Sequence, residues 1–183
     1  METQPKAETV GEQPAPAKPH FADVVAKLSE DIKKRLSTGD LAELRRMRYQ
    51  YPGCPAFWKL AAVRFDYLDD ADVRRWAAIV SGMAAMPELL RANRSLGRAL
   101  AAAKVAEPRV LRLLRARDDA LLDAVRVVSR QLTSAGEPVD WTDLARLVFL
   151  DGGARGESVR RRIAGDYYRS VAAPTDQNKG ATA

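Results

Sequence analysis

The aliphatic residues of this chain recur at intervals of three and four, and no stretch alternates with the period of two that marks a strand. The segment opening at Asp118 is the clearest case. Leu121, Leu122, Val125, Val128 and Leu132 fall within about 120° of one another at 100° per residue, with Asp123, Arg126 and Arg130 outside that arc. A chain with that period buries one stripe and leaves the other to water, so it folds as packed helices. Ala, Leu and Arg dominate while Val and Thr are scattered, which reinforces the helical bias. The expected fold is all-α, with about eight to ten helices. At 183 residues it is long enough for a real core, as one domain or as two small lobes sharing one.

Punctuation residues place the elements. Residues 1–19 are rich in Pro, Glu, Gln and Ala without large apolar side chains, and are expected to be disordered. A first helix is predicted from about Phe21 to Ser37. Asp40 is expected to cap a short second helix, with Glu43 as its capping-box partner; this helix carries Leu41, Leu44 and Met47 inward and Arg45, Arg46 and Arg48 outward or sideways. A third helix runs through Phe57, Trp58, Leu60, Ala61 and Phe65. Asp69-Asp70 caps a fourth from Ala71 to about Met86, which Pro87 ends. Residues 88–105 read as helical, with Gly97 as a weak point, and Pro108 opens the next helix at its first position. Gly136, followed by Pro138, closes the Asp118 helix. Asp140 caps a helix burying Trp141, Leu144 and Val148. After a loop from Asp151 to Gly156, a last helix runs from Glu157 to about Ser170, with Val159, Ile163 and Tyr167 inward and Tyr168 pointing elsewhere.

Charge is unevenly spread along this scaffold. Between Pro87 and Arg117 stand Arg91, Arg94, Arg98, Lys104, Arg109, Arg112, Arg115 and Arg117 against Glu88 and Glu107, a net +6 that equals the charge of the whole chain. On a helix, Arg91, Arg94 and Arg98 would fall within about 60° of one another, and Arg109, Arg112 and Arg115 would lie opposite Val110, Leu111, Leu113 and Leu114. Two adjacent helices would then aim one strip of guanidinium groups at water. Such a row suits phosphate, because the planar fork donates two hydrogen bonds and never deprotonates. Within Pro87–Arg117 no carboxylate stands at i±4 from any of these arginines, which separates the segment from an ordinary solvated face. A sequence pI near 9.7 favours an anionic partner, nucleic acid above all.

Several kinds of chemistry are set aside. Cys54 and His20 are each the sole residue of their type, which leaves no zinc site, disulfide or Cys/His nucleophile pair, and no cofactor is expected. Asp69/Asp70 and Asp118/Asp119 sit where helix starts favour negative charge, and no serine has a base nearby. The expected protein is no enzyme. The longest uncharged run, Trp76 to Pro87, is too short to cross a bilayer, and the amino terminus lacks a signal-peptide core, so the expected location is cytoplasmic. The three tryptophans, Trp58, Trp76 and Trp141, lie on apolar faces and are expected in the core rather than as stacking platforms. One competing motif is a helix-turn-helix with Leu144-Ala145 in its first helix and Val159-Arg160-Arg161-Arg162 in its recognition helix. The break from Asp151 to Gly156 exceeds the usual three or four residues and ranks that reading second.

Four pieces occur in order: Gly39-Asp40-Leu41-Ala42-Glu43-Leu44-Arg45-Arg46, Leu111-Arg112-Leu113-Leu114, Val139-Asp140-Trp141-Thr142-Asp143-Leu144, and Arg160-Arg161-Arg162-Ile163-Ala164-Gly165-Asp166-Tyr167-Tyr168. With the helical pattern and the chain length, they resemble the CasB family, the small subunit of the type I-E CRISPR surveillance complex (Cascade). The family often has an aromatic residue where Ile163 stands and a basic one where Gly165 stands. The resemblance implies a non-catalytic subunit in two helical lobes, here residues 20–106 and 107–171, followed by a disordered tail at 172–183. Its partners would be crRNA and target DNA backbones, the backbone and large subunits of the complex, and a second copy of itself.

The phosphate track expected from the residues comprises Arg91, Arg94, Arg98, Arg109, Arg112 and Arg115. Arg45, Arg46, Arg48, Arg162 and Arg169 are further candidates for that track or for subunit contacts. Two other readings are a helix-turn-helix regulator and a helical adaptor whose basic surface docks an acidic protein.

Overall fold

A computed structural model describes residues 21–65 and 68–173. The disorder expected for residues 1–19 and for most of the tail lies outside the described residues. The described chain forms nine α-helices joined by short connections, as the three-to-four spacing requires: α1 (Phe21–Lys34), α2 (Thr38–Arg46), α3 (Pro55–Arg64), α4 (Asp70–Ala85), α5 (Leu96–Ala102), α6 (Glu107–Arg115), α7 (Asp118–Ala135), α8 (Thr142–Phe149) and α9 (Gly153–Ala172). A single 3-10 turn, Pro87–Leu89, follows α4.

The centre is α4. Asp69 caps it, accepting from the Asp72 amide at 2.7 Å. From Trp76 to Ala84 nearly every side chain is buried, with α2, α7 and α8 packed around it. Gly82 is there for contact: a Cβ at that position would lie 2.2 Å from Cη2 of Trp141. Trp76 stacks with Phe65 and Phe149, each at 4.7 Å between ring centroids, and Phe149 in turn meets Phe21 of α1 at 5.4 Å. Trp76 and Trp141 are therefore core residues, as expected. Trp58 is not: it is 47% exposed, because Ala56, Phe57, Leu60 and Ala61 form the buried side of α3 and leave Trp58 at its edge.

Several boundaries differ from those read in the sequence, each for a local reason. Ser37, rather than Asp40, caps α2. Ser37 Oγ accepts from the Asp40 amide and Asp40 Oδ2 accepts from the Ser37 amide, both at 3.1 Å, so the capping box begins three residues earlier. The Ser37 hydroxyl also donates to Asp40 Oδ2 at 2.7 Å, and this bond together with that from the Ser37 amide holds the Asp40 carboxyl below its ordinary range. Glu43, freed from capping, accepts from the Ala56 amide at the start of α3.

The segment 88–105 is not one helix. Leu89 and Arg91 exchange backbone hydrogen bonds with Val139, forming an isolated parallel bridge between Leu90 and Val139. Asn93 then turns with a φ of 63°, which leaves only Leu96–Ala102 helical. Glu107 takes the first position of α6 and Pro108 the second. Asp140 stands one residue before the cap of α8, accepting from the Thr142 amide at 2.8 Å and from the Asn93 amide at 2.9 Å. At the end of α7, Gly136 takes a left-handed conformation with a φ of 67°, as expected of a helix-closing glycine.

The longest helix, α9, lies against α5 at a very close approach. A Cβ on Gly97 would sit 2.3 Å from the carbonyl oxygen of Ile163 and 2.7 Å from the Tyr167 amide nitrogen, so only glycine admits this packing. Tyr49, buried after α2, ties the early helices to α7: its hydroxyl donates to Asp123 Oδ1 at 3.0 Å, and burial with that carboxylate pushes the phenol up to about 12. Gly97→Ala is expected to destabilise the protein by about 1–3 kcal/mol through forced separation of α5 from α9. Gly53→Ala, where a Cβ would meet nothing within 4 Å, should stay within about 0.5 kcal/mol. Urea unfolding of the two variants checks this.

Candidate nucleic-acid interface

The sequence of α6 divides it into two faces. Val110, Leu113 and Leu114, at i, i+3 and i+4, are buried against α7 and α9. Arg109, Arg112 and Arg115, at i, i+3 and i+6, fan over the opposite side in steps of about 60°. All three are exposed, and among the described residues no ion pair holds any of them.

Beside α6, α9 runs in the opposite direction. At the start of α6, the Tyr168 hydroxyl donates to Glu107 Oε1 at 2.8 Å; at its end, Arg160 Nε donates to the Leu114 carbonyl at 2.9 Å. Arg160 is 5% exposed and also donates to the Ala116 carbonyl and to Asp151, whose other oxygen accepts from the Asp118 amide. Arg117 adds bonds to the Leu114 and Ala116 carbonyls and to Glu157. The carbonyls left open at the end of α6 are thus closed by two arginines, where cations are also favoured by the helix dipole.

This seating brings one more cation to the same edge. Glu157, Arg161 and Tyr168 share a stripe on α9, within about 40° at 100° per residue. Glu157 and Tyr168 both reach the α6 segment, so Arg161 between them projects along the same edge. It is exposed and makes no ion pair among the described residues. Sequence reasoning missed Arg161 as a site residue because Arg160, Arg161 and Arg162 look alike until their partners are known.

The other arginines are distributed differently from the single strip expected. Arg91 and Arg94 are not on a helix with Arg98. The Arg91 amide donates to the Val139 carbonyl and the Arg94 carbonyl accepts from the Asp140 amide, which holds both on the connection before α5. Arg94 pairs with Glu137 at 3.4 Å. Arg91 is exposed and lines a cleft with Lys27 and Lys33 of α1, a different surface from α6. Arg98 is exposed on α5, close enough to Asp166 to feel its charge.

Among the second group, Arg45 donates to the Ala84 carbonyl at 2.7 Å and closes the end of α4. Arg162 pairs with Asp143, and Arg169 with Asp166 at 2.6 Å. Arg46 and Arg48 are exposed without ion pairs at the end of α2. The α6 half of the expected strip is present, joined by Arg161; the α5 half is broken up by the Leu90–Val139 bridge.

The helix-turn-helix reading also changes its footing. Since α9 begins at Gly153, the break after α8 is only Leu150 to Gly152, short enough for such a turn. The side chains speak against it instead. Val159 and Arg160 are buried and Arg162 is held by Asp143, so of the four residues named for reading bases Arg161 alone is free.

Fold and surface together define an all-helical basic protein, one edge of which, formed by α6 and the adjoining stripe of α9, carries four exposed guanidinium groups without an ion pair among the described residues. The chain belongs to the family of CRISPR-associated protein Cse2, whose family model matches residues 40–168. This is the small-subunit family of type I-E Cascade to which the resemblance pointed, under its other name. Its fold is similar to a chain in the crystal structure of E. coli Cascade bound to a PAM-containing dsDNA target, with a TM-score of 0.62 and 25% identity over 80% of this chain and 95% of that one. Comparison with curated proteins by sequence gives no match. Among the described residues no helix is long and apolar enough to cross a membrane.

Two neighbouring arginines of α9 should respond oppositely to the same substitution. Arg160→Leu leaves Asp151 and the end of α6 without their buried partner and is expected to cost about 3–5 kcal/mol. Arg161→Leu should change stability by less than about 0.5 kcal/mol. Thermal and urea unfolding monitored by circular dichroism distinguishes the two.

Proposed function

We propose that the chain serves as a non-catalytic small subunit of a type I-E CRISPR surveillance complex, binding nucleic-acid backbone through the α6–α9 edge without reading sequence. The observation that carries this is the set of four exposed arginines, Arg109, Arg112, Arg115 and Arg161, unpaired among the described residues and fixed on two helices braced together by Arg160. Four guanidinium groups on rigid elements neutralise phosphate wherever the backbone passes, and nothing about them distinguishes one base from another. Arg46, Arg48, Arg91 and Arg98 are free enough to add contacts on neighbouring surfaces.

Support for the assembly comes from family membership and from the E. coli chain, which stands in a complex bound to dsDNA. In RNA-guided recognition, base pairing supplies the sequence and protein supplies a basic channel for the backbones. The partners are accordingly the guide–target hybrid and the displaced strand, the other Cascade subunits, and a second copy of this chain, in the cytoplasm. Between α6 and α7 lies a cleft of about 860 Å³ in which apolar Leu111, Ala120, Ala124, Val127 and Val128 are joined by Arg109, Arg112 and Arg115, so that a protein neighbour seated there would meet the same arginines.

The double substitution Arg112→Glu/Arg115→Glu is expected to weaken binding to unrelated sequences about equally. It should also flatten the log–log salt dependence by about 1.4–1.8, the share of two phosphate contacts. Arg94→Glu, whose partner is already Glu137, should leave that slope unchanged. Affinity measured across a salt series, with the full-length chain and with the assembled complex, tests this. A loss confined to one sequence would favour the helix-turn-helix reading; an unchanged slope would remove the backbone track.

A further inference from the structure

The edge formed by α6 and α9 ends in an aromatic side chain that phosphate binding does not use. Tyr168 is 42% exposed, yet its ring is fixed. Its hydroxyl donates to Glu107 Oε1 at 2.8 Å, and its ring meets that of Tyr167 at 5.3 Å between centroids and 76° between planes. Tyr167 is itself buried and anchored by its hydroxyl on the Val105 carbonyl, at 2.8 Å. Hydrogen bonding to Glu107 raises the phenol above its ordinary value, so the ring stays neutral at physiological pH.

The one carboxylate bonded to Tyr168 among the described residues, Glu107, is engaged by its hydroxyl, and the other charged side chain acting on the phenol is a cation. Arg115 is near enough to Tyr168 for its charge to act on the phenol, and Arg161 lies on the same stripe of α9. A ring held open to solvent beside free guanidinium groups is the combination that single-strand binders use, the cations following the backbone and the ring receiving a base. More aromatic surface is exposed elsewhere, at Tyr51 (81%) and Trp58 (47%), but the depression between those two is rimmed by Asp70, and its Arg74 is paired with Asp119. The exposed arginines of the α6–α9 edge outnumber its acids, of which Glu107 is engaged by the Tyr168 hydroxyl and Glu157 by Arg117, so a polyanion is favoured on this edge over that depression.

We propose that Tyr168 is a stacking platform for one unpaired base, so that the α6–α9 edge prefers single-stranded nucleic acid to duplex. The proposal rests on the backbone reading of that edge and adds a base contact to it. A base in a duplex is already stacked and paired and cannot turn onto the ring, whereas an unpaired base can. Because every base offers a π-face, the contact carries no sequence preference.

The test uses the full-length protein with an end-labelled single strand carrying one 2-aminopurine, the matching duplex, and an abasic strand of equal length. Wild type is expected to bind the single strand more tightly than the other two and to quench the 2-aminopurine. Tyr168→Ala should lower single-strand affinity about 5- to 150-fold. It should leave duplex and abasic affinities and the salt slope unchanged, because no phosphate contact is lost. Tyr168→Phe, which keeps the ring, should retain most of the binding and the quench, and serves as the reference should the alanine variant fold poorly. Trp58→Ala should behave as wild type.

Equal loss for single strand and duplex in Tyr168→Ala, a single-strand affinity within twofold of wild type, or the same loss in Trp58→Ala would each overturn the platform. So would loss of the quench in Tyr168→Phe. If wild type binds duplex and abasic backbone as tightly as the single strand, the platform falls while the backbone reading stands. If wild type binds none of the three, or the Arg112/Arg115 reversal changes nothing, both fall.

Discussion

The Arg160 guanidinium, closed inside the protein on the last carbonyls of α6, is the interaction from which the surface takes its order. It draws the end of one helix onto the middle of another and reaches Asp151 at the junction between them. A buried cation is costly unless each donor finds an acceptor. Here the Leu114 and Ala116 carbonyls and Asp151 accept from Nε and Nη2, while the buried Nη1 has, among the described residues, only the Glu157 carboxylate, at 3.7 Å, to face. With that join made, the direction of α6 is set, and its three outward arginines cannot turn inward without breaking it. Charge that stays in water on one side is thus positioned by charge withdrawn from water on the other.

Glycine complements that join. On the second flank of α9, the absence of a side chain at Gly97 lets α5 approach to backbone contact at Ile163 and Tyr167. One flank is fixed by a polar bond and the other by steric contact, and α9 is seated between them. Tyr168 owes its fixed position to the same arrangement, since Tyr167 beside it is part of the buried face.

Much of this was legible in the sequence, and the limits have physical causes. The helical class, the limits of α4 and α7 and the glycine ending α7 follow from local chemistry: apolar spacing, an Asp cap, a residue suited to left-handed φ. The start of α2 was misplaced because two capping boxes overlap there, and the nearer acid was already engaged by Ser37. The break before α5 was invisible because it depends on Val139, far away in sequence, exchanging hydrogen bonds with Leu89 and Arg91. The outward row on α6 could be read because it needs only one helix. The fates of Arg45, Arg94, Arg160 and Arg162 could not, since each depends on a partner that only tertiary packing brings near. Trp58 looked like a core residue because its neighbours in sequence are, and one step of about 100° separates it from them.

The Leu90–Val139 bridge has a consequence for how the chain reaches this state. It ties together two connections between which the whole of α5, α6 and α7 is threaded, and the α5–α9 contact spans a similar stretch. Neither contact can form until a long loop has closed, and the entropy of that closure is lost before any of their stabilisation is gained. Helices such as α4 and α7 can nucleate from nearby residues, but their assembly waits on distant ones. The protein therefore joins locally specified helices to contacts that each close a long stretch of chain.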